Sequence, residues 1–82
     1  MTSLEELRTQ LSDVDDQITD LYEKRMKICE DLGTCKIKNG YKTFDRQREK
    51  NKIAEVMGKV SSDFNKKGIG EVYELLLAIS RK

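Results

Sequence analysis

The sequence predicts an all-α chain of three helices, one long and two shorter, completed by pairing with a second copy. An apolar seam with three- and four-residue spacing runs from Leu4 to Cys35, no segment has the alternation of a strand, and the 82 residues include no proline. In a chain this short a lone core seldom supplies more than about 3–5 kcal/mol. We therefore expect one domain, residues 1–82, that oligomerises.

The first helix is predicted from Ser3 to Lys38. Ser3 and Glu6 have the spacing of a capping box, in which each side chain accepts a hydrogen bond from a backbone amide at the helix start. Asn39-Gly40 is the first credible terminator. The seam of this helix consists of Leu4, Leu7, Leu11, Val14, Ile18, Leu21, Arg25, Ile28, Leu32 and Cys35.

The length of this helix predicts a dimer. From Ser3 to Lys38 it would measure roughly 54 Å at about 1.5 Å per residue, whereas a compact domain of this size is about 30 Å across. Part of the seam would then lie beyond its own domain. A two-fold dimer in which two long helices pack together is the most economical way to cover it.

Two shorter helices are predicted to follow. Asp45 is a good N-cap for the second, the segment from Asn65 to Gly70 is expected to break it, and the third runs from about Gly70 to the end. The apolar face of the second helix is Ile53, Val56, Met57, Val60 and Phe64, and that of the third is Val72, Leu75, Leu76 and Ile79.

The amino-acid composition narrows the classes of function that fit this chain. Sixteen Lys and Arg against 15 Asp and Glu give a net charge of +1, which provides no general attraction for nucleic acid or an anionic membrane. There is no His, and the two cysteines, Cys29 and Cys35, are expected to be small core residues, so metal sites and protease-type triads are poorly supported. The basic and apolar segments of a signal peptide are lacking at the start, which favours a cytoplasmic location.

Arg25 is the strongest anomaly, because a guanidinium in an apolar seam needs hydrogen-bond acceptors to offset its desolvation. Taken alone, a structural ion pair or a side chain that reaches out to water explains it better than a ligand. Lys36 lies 11 residues later, within about 20° of the same face, and this second cation raises the case for an anion site. Alone, Lys36 would be a solvated lysine near a helix end.

Arg8 flanks the seam but lies roughly 25 Å from Arg25 along a straight helix. If two long helices cross antiparallel, Arg8 of one chain approaches Arg25 and Lys36 of the other, which gives two symmetric three-cation pockets. Taken alone, Arg8 is a surface arginine. Asp45 and Arg48 belong to the charged run 45–49, which structure alone also explains: Asp45 as a helix cap and the run as a solvated face. Ser80 could simply donate a hydrogen bond to a carbonyl of its own turn.

Together these residues resemble the all-helical (AroQ-class) chorismate mutases, over nearly the whole chain. The resemblance rests on Leu7-Arg8, Val14-Asp15, Ile18, Lys24-Arg25, Lys36, the block Phe44-Asp45-Arg46-Gln47-Arg48-Glu49, and Ile79-Ser80-Arg81. It implies an intertwined all-α homodimer that converts chorismate to prephenate by a Claisen rearrangement, without a cofactor. Such a pericyclic reaction needs no nucleophile or metal, which agrees with the absence of His.

The resemblance also implies roles. Arg25 and the partner's Arg8 would bind the substrate carboxylates, and Lys36 would donate to the ether oxygen, where negative charge develops. Glu49 would accept the substrate hydroxyl proton in a hydrogen bond, Ser80 would support a carboxylate, and Asp45 and Arg48 would complete the wall.

One family position falls outside the sequence. A glutamine or glutamate usually stands four residues after the serine, at what would be position 84, so we expect either a domain of a longer fusion protein or reduced activity. Two alternatives stay open. The chain would also suit an isochorismate–pyruvate lyase, or a non-catalytic helical dimerisation module that regulates a shikimate-pathway partner, although the latter leaves Arg25 unexplained.

Overall fold

A computed structural model describes residues 3–38, 40 and 45–81, apart from the side chains of residues 36 and 37. Its elements are three helices, α1 (Leu4–Lys38), α2 (Arg46–Gly58) and α3 (Asp63–Ser80). Within these described ranges there is no strand. The predicted fold class is confirmed as all-α with one long and two shorter helices, whereas the pairing of two copies stays a prediction.

Both ends of α1 agree with the sequence prediction. At the start, the Ser3 hydroxyl oxygen accepts the amide proton of Glu6 over 3.1 Å, which is the serine half of the capping box. After the last residue of the helix, Gly40 has a φ of 76°, a left-handed conformation that glycine adopts without steric cost. One uninterrupted helix therefore carries the whole seam.

The seam of α1 is exposed in the single chain. Its eight large apolar residues have between 46% and 63% of their surface accessible: Leu4, Leu7, Leu11, Val14, Ile18, Leu21, Ile28 and Leu32. Cys29 is half-buried, but Cys35 is exposed, so the expectation that it is a core residue is wrong for the single chain. None of the described hydrophobic side chains is buried.

The boundary between the second and third helices lies earlier than predicted. Asp45 caps α2 as expected, but α2 ends at Gly58, and α3 already begins at Asp63. The reason is Ser62, whose hydroxyl oxygen accepts the amide proton of Asn65 over 3.1 Å and so caps α3. The expected break from Asn65 to Gly70 is therefore wrong. Phe64, predicted on the apolar face of the second helix, lies in the first turn of α3 and is 88% exposed.

Gly70 lies inside α3, at a point where α2 packs closely against that helix. It is the one buried residue of α3, and a Cβ atom on it would lie 3.2 Å from Sδ of Met57 in α2. A second contact joins Glu49, near the start of α2, to Arg81, just after α3. Residues early in α2 thus meet residues late in α3, so the two helices form an antiparallel hairpin.

Residue contacts divide the chain into two units, Met1–Leu32 and Gly33–Lys82. The first unit consists of most of α1, and the second contains the α2–α3 hairpin. Among the described helices, none combines the length and the apolar composition that a bilayer span requires.

Candidate functional site

Arg25 lies in the first unit, on the seam of α1, and is half-buried. Its Nη1 donates a hydrogen bond to Sγ of Cys29, one turn further along, over 3.6 Å. Since residues four apart lie on the same side of a helix, this contact holds the guanidinium along the seam. Leu21 and Ile28, which precede and follow it along the seam, are 62% and 59% exposed.

Arg8 lies in the second turn of the same helix and is exposed. Seventeen residues separate it from Arg25, or about 25 Å along a straight helix at 1.5 Å per residue. The two arginines of one chain are therefore too far apart to hold the same small anion. This agrees with the sequence expectation that they act together only across a dimer, which stays a prediction.

Lys36 belongs to the last turns of α1, but its side chain lies outside the described part of the chain. The sequence prediction that it shares a face with Arg25 is not tested by any described contact. Phe44, which begins the charged block of the resemblance, also lies outside the described residues.

Asp45 and Arg48 lie at the start of α2, in the second unit, and both are exposed. The Asp45 carboxylate accepts the backbone amide proton of Arg48 over 3.2 Å. This is the N-cap that the sequence predicted, and it leaves the Arg48 guanidinium available for other contacts. The structural explanation of Asp45 is thereby confirmed, and any contact with a ligand would be additional to it.

Glu49 lies in the first turn of α2, and its side chain is only 22% exposed. Arg81, immediately after α3, donates from Nη1 to Oε1 of this carboxylate over 3.2 Å. The hairpin thus brings Glu49 to the end of α3 that carries Ser80. Sequence reasoning included Arg81 in the family pattern but assigned it no partner, because a pair 32 residues apart leaves no local spacing signal.

The hydroxyl of Ser80 donates a hydrogen bond to the backbone carbonyl of Leu76 over 2.7 Å, and the residue is half-buried. The alternative considered for this serine, a bond to its own turn, is therefore present. In this arrangement the hydroxyl proton is directed along the helix, toward the carbonyl of Leu76. To support a substrate carboxylate, the hydroxyl would have to rotate away from Leu76.

The described residues contain no group of three or more His, Cys, Asp or Glu side chains suited to hold a metal ion. The charged side chains described above include arginines in both units and, in the hairpin, the partly buried Glu49, at the end that also carries Ser80. Guanidinium groups bind carboxylates through paired, charge-assisted hydrogen bonds. Each of these arginines is therefore chemically suited to bind a carboxylate group.

Comparison with known proteins identifies the family. The family described as chorismate mutase type II matches residues 7–82. No curated protein and no solved structure matched the chain. Since the family match spans nearly the whole sequence and all three helices, the chain belongs to the chorismate mutase type II family.

Proposed function

We propose that this protein is a chorismate mutase, which converts chorismate to prephenate by a Claisen rearrangement in a site shared by two copies of the chain. The observation that carries the proposal is the family match over residues 7–82. That range includes all seven residues proposed here for the site: Arg8, Arg25, Lys36, Asp45, Arg48, Glu49 and Ser80.

The first task of the site is to hold a dianion in a compact conformation. Chorismate carries two carboxylates, and Arg25 with the second copy's Arg8 bind them. Fixed cations hold the two reacting carbons close together in the bound substrate, so that orientation entropy is lost on binding and not on the way to the transition state. The half-buried position of Arg25 supports this role, because its charge is less screened there than in bulk water.

The second task is to stabilise the transition state. When the ether C–O bond breaks, negative charge develops on its oxygen, and Lys36 donates a hydrogen bond to that atom. An interaction that strengthens as charge develops lowers the barrier, whereas one equal in substrate and transition state does not. A rate acceleration of about a millionfold corresponds to on the order of 8 kcal/mol.

Glu49, Ser80, Asp45 and Arg48 form the remaining wall of the site. Glu49 accepts the substrate hydroxyl proton in a hydrogen bond, and its low exposure supports a fixed orientation. Ser80, at the same end of the hairpin, supports a carboxylate. The cap on α2 holds Asp45 and Arg48 within one turn of Glu49.

The dimer is proposed from the exposed seam of α1. Its eight large apolar residues are each about half accessible, and covering them would gain about 1 kcal/mol apiece, or roughly 8 kcal/mol per chain. Two seams that face each other with two-fold symmetry supply that cover. An antiparallel crossing also brings Arg8 of one chain toward Arg25 of the other, so the same pairing brings together the two arginines that bind the substrate carboxylates.

The test is to incubate the purified protein with chorismate and to identify the product. Loss of chorismate absorbance above the uncatalysed background, with prephenate as product, is the expected result. Parallel incubation with isochorismate detects pyruvate release, which would identify a lyase instead. If neither substrate is consumed by a protein that has its native C-terminus and that sedimentation shows to be dimeric, the chain is a dimerisation module and the enzyme proposal is wrong.

A further inference from the structure

The contact between Glu49 and Arg81 joins two segments that are far apart in sequence. Nη1 of Arg81 lies 3.2 Å from Oε1 of Glu49, and their side chains are 41% and 22% exposed. The other ion pairs of the described residues, Lys27–Asp31, Lys52–Glu55 and Lys59–Glu55, join residues three or four apart on one helix. The Glu49–Arg81 pair alone among these connects two elements.

We propose that Arg81 is a positioning residue for substrate binding, which acts through Glu49. This inference rests on the proposed function, because Glu49 is there the acceptor for the substrate hydroxyl. Arg81 is not a catalytic residue in this proposal, since it touches Glu49 and not the substrate.

Orientation is the first effect. A glutamate side chain has three rotatable bonds, and a carboxylate that samples several rotamers loses that freedom when it binds a ligand. Arg81 engages Oε1, which leaves Oε2 to accept the hydroxyl proton of the substrate. The carboxylate is then oriented before the substrate arrives, and binding loses less entropy.

Charge is the second effect. A carboxylate in the wall of a site for a dianion repels the ligand, and this repulsion grows where water is excluded. A guanidinium on the side of Glu49 away from the hydroxyl offsets the repulsion without blocking Oε2. Arginine suits this position better than lysine because its planar group fixes the direction of the hydrogen bond.

A role in stability alone is a weak explanation of the pair. The Arg81 end of the pair is 41% exposed, so solvent screens the attraction and its contribution to folding is small, although Glu49 is half-buried. The contact that Glu49 makes with the hydroxyl is present in both the bound substrate and the transition state. Its loss should therefore appear in KM, with little change in kcat.

The experiment is a double-mutant cycle in the full chain, with chorismate as substrate. Arg81→Met should raise KM about tenfold and change kcat less than about threefold. Arg81→Lys, which keeps the charge but loses the planar fork, should give a smaller rise. In a Glu49→Gln background, Arg81→Met should change KM less than about twofold, because the group on which it acts is gone.

Lys59→Met is the matched control. It removes an equally long ion pair, 3.2 Å between Lys59 and Glu55, from the same hairpin, and Lys59 has no place in the proposed site. Its KM should equal that of the unmodified protein. Thermal unfolding of both methionine variants should be alike, which separates positioning from stability. If Arg81→Met is poorly folded, Arg81→Lys in both backgrounds provides the same comparison.

Two kinds of failure are distinguishable. If the unmodified protein converts chorismate but Arg81→Met leaves KM unchanged, or raises it equally with Glu49 and with Gln at position 49, the positioning role is overturned and the mutase proposal stands. If the unmodified, folded dimer with its native C-terminus does not convert chorismate at all, the proposed function is overturned and the role of Arg81 with it.

Discussion

The long helix and the hairpin use similar apolar patterns with different results. In the α2–α3 hairpin, Met57 and Gly70 pack against each other, and Glu49 is joined to Arg81. In α1, every large apolar residue of the seam stays about half accessible. A regular apolar seam predicts that a helix face will pack against another surface but does not identify that surface. Within the hairpin, α2 and α3 cover part of each other, although Val72 and Leu75 remain more than half exposed, whereas the seam of α1 is exposed along its length in the single chain.

The largest effect is expected from a charge on the seam of α1. Leu11→Glu should dissociate the proposed dimer and reduce the proposed chorismate mutase activity by more than about a hundredfold, because two-fold symmetry would place two carboxylates in one apolar interface. Leu11 is 61% exposed in the single chain, so a monomeric protein would tolerate the change. Sedimentation velocity, with activity at the same protein concentration, measures both outcomes.

Thr9→Glu is the matched control for the seam, since it adds the same charge to the same helix two residues away, on the opposite face. Thr9 donates its hydroxyl proton to the carbonyl of Glu5 and is not part of the seam. Its oligomeric state should be that of the unmodified protein. If Leu11→Glu sediments as the unmodified protein does, the seam of α1 is not the interface between two copies.

The next largest effect is expected from the one cation on the seam. Arg25→Ala should lower kcat/KM on the order of a hundredfold or more, since hydrogen bonds to charged groups contribute about 1.5–3 kcal/mol each. The dimer should persist, because alanine removes a charge from an apolar surface. Lys27→Ala is the control, a cation two residues away that pairs with Asp31. Equal activity of the two variants would contradict the proposal that Arg25 binds a substrate carboxylate.

Local chemistry made much of the fold predictable. Ser3, Asp45 and the Asn39-Gly40 pair identified where helices begin and end, because caps depend on residues a few positions apart. The boundary between α2 and α3 lies near residue 60 and not at 65–70, because the Ser62 cap begins α3 ahead of Gly68 and Gly70. Gly70 lies inside a helix where Met57 of α2 comes close to it, and this tertiary contact leaves no spacing signal in the sequence.

The candidate site was predictable only in its components. Arg25 was identified as an anomaly within one helix, and its neighbour Cys29 lies at the four-residue spacing that helices favour. The Glu49–Arg81 pair was not predicted, because it depends on the antiparallel packing of α2 and α3. The meeting of Arg8 with Arg25 depends on a second chain and stays a prediction.

Two glycines in α3 sharpen the account of the hairpin. Gly68→Ala should stabilise the protein by about 1 kcal/mol, because alanine favours a helix and nothing lies within 4 Å of the new Cβ. Gly70→Ala should gain much less, since its Cβ would meet Sδ of Met57 at 3.2 Å. Denaturant unfolding at equal protein concentration measures the difference. Equal gains would mean that α2 and α3 do not pack closely at this point.

The smallest effect on stability is expected from the loss of the exposed ion pairs of the hairpin. Glu55 accepts hydrogen bonds from Lys52 over 3.0 Å and from Lys59 over 3.2 Å, and these bonds, that of Lys52 first, hold its pKa below the ordinary value of 4.5. A lowered pKa means that the pairs stabilise the fold above pH 4.5 and that this contribution is lost as the pH falls through the lowered value.

Lys52→Ala should therefore raise the pKa of Glu55 toward 4.5 more than Lys59→Ala does, as carboxyl-carbon NMR titration would measure. Both variants should leave the unfolding temperature at pH 7 nearly unchanged, because solvent and salt screen exposed pairs. A large loss of stability from either one would show that the hairpin depends on its surface charges. In that case ion pairs, more than the contact of Met57 with Gly70, would hold the hairpin together.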